Sequence, residues 1–218
     1  MIPRAVLWDV DGTLIDSAEY HWLAWREAMA AEDYVLTYEQ FAQTFGWRND
    51  AILREFFGRE IPLSEARRIS DAKERRYRDF VLARGIELLP GVRRWLDRLK
   101  AAGWKQAIAS SAPRPNVDAI LSALQMTDQF DAIVSAEDVV NGKPHPQVFL
   151  LAAERVAVPP ARCIVIEDAP AGIEGARRAN MRSIGVGPKH AVASADYIVP
   201  TLDELDAEAL ERLVSGNE

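Results

Sequence analysis

Four short stretches carry side chains suited to holding a doubly charged anion. The apolar run through Trp8 ends in Asp9, Val10, Asp11 and Gly12, within the segment LWDVDGTLIDS at residues 7–17. A second run ends at Ser110, Lys143 directly precedes Pro144, and a third run, RCIVIED, ends in Glu167 and Asp168. Brought together, Asp9, Asp11 and Asp168 would repel, and at least one would take up a proton unless a cation intervened. Mg²⁺ removes that conflict: it takes oxygen ligands, is held by one or two carboxylates, and leaves room for a phosphate oxygen. Lys143 and the Ser110 hydroxyl then supply a second wall, so that a phosphoryl group sits between metal and lysine, with the amides of Val10, Asp11 and Gly12 as further donors. Taken singly, each feature has an ordinary explanation as a turn, a strand-end hydroxyl, a loop lysine or a helix cap. Their order along one alternating pattern favours a joint site.

The elements that must position them alternate. Short apolar runs (AVLWDV, KQAIASS, DAIVSA, RCIVIED, RSIGVG and DYIVP) are separated by stretches of helical period, which predicts an α/β fold: a Rossmann-like parallel sheet with helices on both faces. The segment GVRRWLDRLKAAG places Val92, Trp95, Leu96 and Leu99 on one face and stops at Gly103; PNVDAILSALQM does the same with Val117, Ile120, Leu121 and Leu124. Further helices are expected near 147–156 and 171–180. Ligands in such sheets bind beyond the carboxyl ends of the strands, where the polar residues above fall.

Between Asp16 and about Gly85 no strand pattern occurs, which predicts an inserted helical cap over 16–86 and a core formed by 1–15 and 87–218. Asp16 and Glu19 are spaced as a variant capping box before YHWLAWREAMAA, and the closing helix is expected to begin after Ser64 and end at Gly85. Both ends of the insertion enter the core beside the two carboxylates, where a lid would hinge.

The chain has 218 residues, 49% of them hydrophobic, enough to bury a full core. Its single cysteine, Cys163, lies in an apolar run and reads as a buried thiol. A formal net charge of -7 argues against nucleic acid as the main partner. Neither a leader peptide nor a bilayer-spanning run is apparent, so a cytoplasmic protein without membrane association, monomeric or weakly dimeric, is expected.

The segments DVDGTLIDS, AIASS, GKPHPQVF and IVIEDAPAGI resemble, in order, the four motifs of the haloacid dehalogenase-like superfamily of hydrolases. The helical insertion resembles the small cap of the subgroup containing β-phosphoglucomutase, phosphoglycolate phosphatase and sugar-phosphate phosphatases. The resemblance implies Asp9 as nucleophile, forming an aspartyl-phosphate, and Asp11 as general acid and then base. It implies Ser110 and Lys143 as phosphate ligands, and Mg²⁺ positioned by Asp9, the backbone carbonyl of Asp11, and Asp168 with Glu167 beside it. Asp11 favours phosphoryl transfer over dehalogenation. Nothing around the cap lysine Lys73 suggests the lowered pKa that a Schiff-base role in phosphonate hydrolysis requires.

In the cap, His21 and Trp25 share a helix face, Lys73 interrupts the stripe of Ile69, Tyr77 and Phe80, and Arg48 lies in the turn TFGWRND. His21, Arg48 and Lys73 are candidate substrate contacts, against the alternatives of a packed histidine and a lysine that snorkels past an apolar face. The last cap helix is locally basic, which either draws anions toward the cleft or is a solvated, ion-paired face. The expected function is a Mg²⁺-dependent phosphatase of small phosphorylated metabolites, with sugar phosphates foremost. The alternatives are a β-phosphoglucomutase and, in another class, a non-catalytic phospho-aspartate sensor.

Overall fold

The computed structural model describes residues 3–206 and 208–215. Six strands form one parallel sheet: β1 Ala5–Trp8, β2 Lys105–Ala109, β3 Ala132–Val134, β4 Cys163–Glu167, β5 Arg182–Val186 and β6 Tyr197–Val199, in spatial order β3-β2-β1-β4-β5-β6. The helices in chain order are α1 Ala18–Ala30, α2 Tyr38–Thr44, α3 Asn49–Phe57, α4 Leu63–Arg84, α5 Val92–Ala101, α6 Arg114–Ala123, α7 Gln147–Arg155, α8 Pro170–Arg178 and α9 Ala209–Ser215. Every strand falls inside an apolar run read from the sequence.

The period-two alternation of a strand sends its side chains to two layers. Val6 and Trp8 of β1, Ile108 of β2, and Ile164 and Ile166 of β4 enter one apolar cluster; Ala5, Leu7, Ala107, Ala109, Cys163 and Val165 enter the other. Helices α5, α6 and α9 close the first layer through residues such as Trp95, Leu96, Val117, Ile120 and Leu210, and α7 and α8 close the second through Val148, Phe149, Ala152 and Ala176. Burial pushes the Cys163 thiol up to about 12, so it is a packing group and not a nucleophile.

Connections run outward from β1 to β2 and β3 on one side, and from β4 to β5 and β6 on the other. The carboxyl ends of β1 and β4 therefore flank the point where the strand order reverses, where open α/β sheets leave a crevice. The Asp9 amide extends the ladder to the Ile166 carbonyl at 3.1 Å, and the Ser110 amide reaches Val134 at 3.0 Å.

Helices α1–α4 occupy the chain between β1 and α5 and have an apolar centre of their own, built on Trp25, Met29, Phe41, Leu53, Phe56 and Ile69. The connections into and out of these helices run side by side: Ile15 bridges Leu88, and the Leu89 amide donates to the Leu14 carbonyl at 2.9 Å. Three boundaries differ from expectation. The Asp16–Glu19 capping box is not formed: Ser17 holds the N-cap position of α1 without a side-chain cap bond, and Asp16 reaches only the Ala18 amide, at 3.4 Å. The capping box that does form is Thr37 with Gln40, at the start of α2. Helix α4 begins at Leu63, before Ser64, because Pro62 takes the N-cap position. Among the described residues no helix is long and apolar enough to cross a membrane.

Candidate active site

The residues at the strand ends meet. The Lys143 ammonium donates to Asp9 Oδ1 at 2.5 Å and to Glu167 Oε1 at 2.7 Å, with all three side chains buried. Glu167 Oε2 accepts from the Ala169 amide at 2.8 Å, so both of its oxygens are engaged. Gly172 makes this possible, since a Cβ there would lie 1.8 Å from Glu167 Oε1. Ser110 is buried, accepts from the Ala112 amide at 3.0 Å, and lines the same space as Asp9, Asp11, Lys143, Glu167 and Asp168.

Carboxylate oxygens of Asp9, Glu167 and Asp168 lie within 4.8 Å of one another. Burial is the main force raising the Asp9 carboxyl well above its usual value; Lys143 opposes it, and the charges of Glu167 and Asp168 add to it. Burial and then Glu167 raise Asp168 to about 7. Lys143 stays charged despite burial, because Asp9 and Glu167 hold its pKa above the usual value. Two buried acids and one half-buried one facing a single ammonium leave negative charge uncompensated unless they hold protons, and a divalent cation fits that surplus. Asp9 and Asp168 are the residues placed to hold it.

Gly12 differs from expectation. Its amide donates to the Ile15 carbonyl at 2.8 Å and is not free for a phosphate. Its role is spatial: at φ +84° a side chain would be strained, and a Cβ would lie 2.1 Å from Asp168 Oδ2. The Asp168 carboxylate, which also accepts from Thr13 Oγ1 at 3.3 Å, occupies the room glycine leaves.

Asp11 faces the other way, into the cap. Its Oδ1 accepts from Ser17 Oγ at 2.6 Å and lies 3.1 Å from His21 Nε2. Lys73 Nζ is 2.8 Å from His21 Nδ1 and donates to Glu74 Oε1 at 2.9 Å. An ammonium donating into Nδ1 assigns the ring proton to Nε2, which points it at Asp11. Burial alone would raise the Asp11 carboxyl, but His21, Ser17 and Lys73 overcome it and hold Asp11 at about 2. The carboxylate of Asp11 is therefore anionic and bound to Ser17 and His21, while the residue still borders the space of the acidic triad.

Lys73 does not snorkel. It is 2% exposed, and its ammonium sits between His21 and Glu74 with the Trp25 and Tyr77 rings 5.3 and 5.5 Å away. His21 stacks on Tyr77 at 4.1 Å, and the Tyr77 hydroxyl is buried without a hydrogen-bond partner. Arg48 lies apart from this network, donating to the Val139 carbonyl at 3.3 Å and to Asp50 at 3.4 Å. The basic helix α4 is divided: Arg68, Arg76 and Arg84 pair with Glu32, Glu27 and Glu19, whereas Arg67, Arg75 and Arg78 line an outer groove that also holds Asp50, Asp71 and Glu137. The paired, solvated face accounts for three of the helix's seven basic residues.

Sequence reasoning did not find Ser17, Glu74, Asn49 and Asn116. Glu74 accepts from Asn49 Nδ2 at 2.7 Å and from Asn116 Nδ2 at 2.5 Å, which ties α4 to α6 across the cleft. A charged pair Lys73–Glu74 on the apolar stripe of a helix was the one available signal; the asparagines gave none.

The space beside these residues has two adjoining lobes. One holds Asp9, Ser110, Lys143 and Asp168; the other, about 50 Å³, is lined by His21, Lys73, Glu74 and Asn49 and by the rings of Trp25, Phe41, Phe45 and Trp47. Asp11, Phe45, Gly46 and Ser111 border both. Comparison with known proteins agrees with this geometry. Residues 3–180 match the family model described as haloacid dehalogenase-like hydrolase. The chain belongs to the haloacid dehalogenase-like hydrolases. Among its relatives in this family, β-phosphoglucomutase of Bacillus subtilis (strain 168) is 35% identical, covering 95% of this chain and 93% of that protein. Hexitol phosphatase B of Escherichia coli (strain K12) is 32% identical over 94% and 96% of the two chains. Among solved structures, CbbY of Rhodobacter sphaeroides in complex with xylulose-(1,5)bisphosphate superposes with a TM-score of 0.87 at 29% identity, covering 96% of this chain and 99% of that one. As a haloacid dehalogenase-like hydrolase, the protein is an enzyme whose relatives include phosphatases and a phosphomutase.

Proposed function

We propose that the protein is a Mg²⁺-dependent phosphatase of small phosphorylated sugars or related metabolites, working through an aspartyl-phosphate on Asp9. One observation carries the reading: Asp9 is held by Lys143 at 2.5 Å within an acidic triad, while Asp11 stands between that triad and a second lobe walled by aromatic and polar side chains. The named activities of the relatives, β-phosphoglucomutase and hexitol phosphatase, support sugar phosphates as the substrate class.

In the first step an Asp9 oxygen attacks phosphorus, the bond from phosphorus to the ester oxygen breaks, and Asp11 gives that oxygen a proton. Asp11 is anionic in the free protein, held so against burial by His21, Ser17 and Lys73, so this step requires that it take up a proton as the negatively charged phosphoester arrives. In the second step Asp11 removes a proton from water, the water oxygen attacks phosphorus, and the acyl phosphate bond breaks to return Asp9. Lys143 neutralises charge on the transferring group, and the Ser110 hydroxyl orients it. Mg²⁺, held by Asp9 and Asp168, would supply the further positive charge that lets two anions approach.

The second reading is a mutase, in which a sugar hydroxyl replaces water as the acceptor; the identity to the Bacillus enzyme favours it. Steady-state assays with β-glucose 1-phosphate and a panel of phosphomonoesters separate the two. Predominant free phosphate supports the phosphatase, and predominant glucose 6-phosphate the mutase. A stable phospho-Asp9 without turnover of any ester would return the sensor.

A further inference from the structure

The second lobe is too small for the whole of a sugar phosphate. At about 50 Å³ it has room for a few waters, whereas the outer groove that adjoins it measures about 640 Å³, within the range of small-molecule sites. Asn49, Glu74, Ser111 and Pro113 line both, so whatever a substrate carries beyond its reacting phosphate passes them into the groove. One face of α4 forms a wall, with Arg67, Ser70, Asp71, Glu74, Arg75 and Arg78 recurring at helical spacing. Glu74 is the link to the lobe; Arg75 follows it directly and Arg78 lies one turn on. The charges of the groove are unevenly committed. Arg48 holds Asp50 and the Val139 carbonyl, Asp50 also meets Arg54 at 3.6 Å, and Glu74 is engaged by Lys73, Asn49 and Asn116. That leaves Arg67, Arg75 and Arg78, three guanidinium groups, against the two carboxylates of Asp71 and Glu137, a surplus of one positive charge in a chain whose formal net charge is -7. Among the described residues Arg75 is exposed and makes no ion pair or side-chain hydrogen bond, and Arg78 binds a neutral group, Asn116 Oδ1, at 2.8 Å.

We infer that the groove receives the far end of the leaving group, and that Arg75 and Arg78 favour phosphoesters whose far end carries a second anionic group, a carboxylate or a phosphate, over those whose far end is neutral. Residues three apart on a helix are neighbours, so the two guanidinium groups can grip one anion from adjacent positions. Carboxylate and phosphate accept the same parallel N–H donors. The opposite wall comes from the core, at Ser111, Pro113 and Ala136, so an anion seated there lies between cap and core and outside the phosphoryl lobe that Lys143 serves. Glu74 does not oppose it, because Lys73 at 2.9 Å answers its charge. The inference deepens the proposed function by naming a substrate class for the same site, and it rests on that function.

The test uses esters paired by the charge of the far end: glucose 6-phosphate against 6-phosphogluconate for a carboxylate, and fructose 6-phosphate against fructose 1,6-bisphosphate for a phosphate. The readout is the ratio of kcat/KM for phosphate release within each pair, which cancels any general loss of activity in a variant. The anionic member is expected to be preferred by about tenfold or more in at least one pair, and the pair that shows it identifies the anion. Arg75→Gln/Arg78→Gln is expected to bring that ratio close to one. Arg76→Gln, on the face of α4 that pairs with Glu27, is expected to leave it unchanged. Should the double variant not fold, Arg75→Gln alone, at an exposed and unpaired side chain, decides. Neutral members used equally or better in both pairs, a ratio unmoved in the folded groove variants, or an equal loss in Arg76→Gln would each overturn the inference, the last by showing long-range steering in place of a seat. Calorimetric binding of the same pairs to the Asp9→Asn protein in Mg²⁺ separates this inference from the proposed function. Preferential binding of an anionic member with no turnover of any ester would sink the phosphatase reading and leave the groove's role standing; turnover without preference would do the reverse. No binding and no turnover of either member of any pair would overturn both.

Discussion

The acidic triad makes a thermodynamic prediction that needs no substrate. Asp168 is raised from 3.8 to about 7, chiefly by burial and then by the Glu167 charge. Between those two values the folded, metal-free protein holds a proton on Asp168 that the unfolded chain has released. Unfolding then releases a proton, so stability falls as pH rises through this window and levels off above about 7. From pH 8 down to pH 5.5 only the stretch below about 7 counts, roughly 1.5 decades at about 1.4 kcal/mol each, or about 2 kcal/mol. For a chain of this length that corresponds to a rise of about 4–8 °C in Tm. Asp11 and Asp138, both lowered to about 2, contribute with the opposite sign, but their stabilisation is complete above their unfolded value of 3.8 and is lost only as pH falls toward 2. They are silent between pH 5.5 and 8.

The assay is thermal unfolding in chelator at the two pH values, for wild type and for Asp168→Asn. Comparing the two proteins cancels groups remote from the triad, whereas Asp9, which the Asp168 charge helps to raise, does not cancel and keeps part of the slope in the variant. Wild type is expected to lose about 2 kcal/mol or more on going to pH 8, and Asp168→Asn to lose less. Mg²⁺ is expected to raise the Tm of wild type more at pH 8 than at pH 5.5, because protons compete with the ion for the same oxygens. Equal stability of the metal-free wild type at both pH values, or an identical slope in Asp168→Asn, would refute the uncompensated triad.

Further substitutions probe the two lobes. Asp9→Asn keeps the shape of the nucleophile but not its charge, and should lower kcat by at least about a thousandfold with Tm nearly unchanged or raised. Tyr77→Phe removes a buried hydroxyl beside Ser17 and Asp11, and should change stability by no more than about 1 kcal/mol by calorimetry. Asn116→Ala takes away the donor that reaches Glu74 from the core at 2.5 Å, and should cost about tenfold in kcat/KM. In a double-mutant cycle its effect should largely vanish in a Glu74→Gln background, since both substitutions break one contact.

The sheet and the phosphoryl lobe were legible in the sequence for a common reason. Alternating apolar runs specify strands locally, and parallel connectivity then delivers whatever follows each run to one edge, so Asp9, Ser110 and Asp168 needed only their strands to be placed. Lys143 follows no such run and was marked in the sequence by its place directly before Pro144. The cap was legible as helices but not as a site. Ser17 carried no reading in the sequence, where Asp16 was the expected cap, yet its hydroxyl reaches Asp11 at 2.6 Å instead of capping α1. Glu74 and Asn116 are 42 positions apart and carry no local pattern that pairs them; only the packing of α4 on α6 does. Lys73 and Glu74 break the apolar face of α4, and such a break marks either a design conflict or a functional pair. In the structure both charges are buried and each answers the other. Two buried charges that satisfy one another add little to stability compared with an apolar pair. What they do here is hold the proton of His21 on the nitrogen that faces Asp11, so the polarity of the cap acts directly on the residue that must move protons.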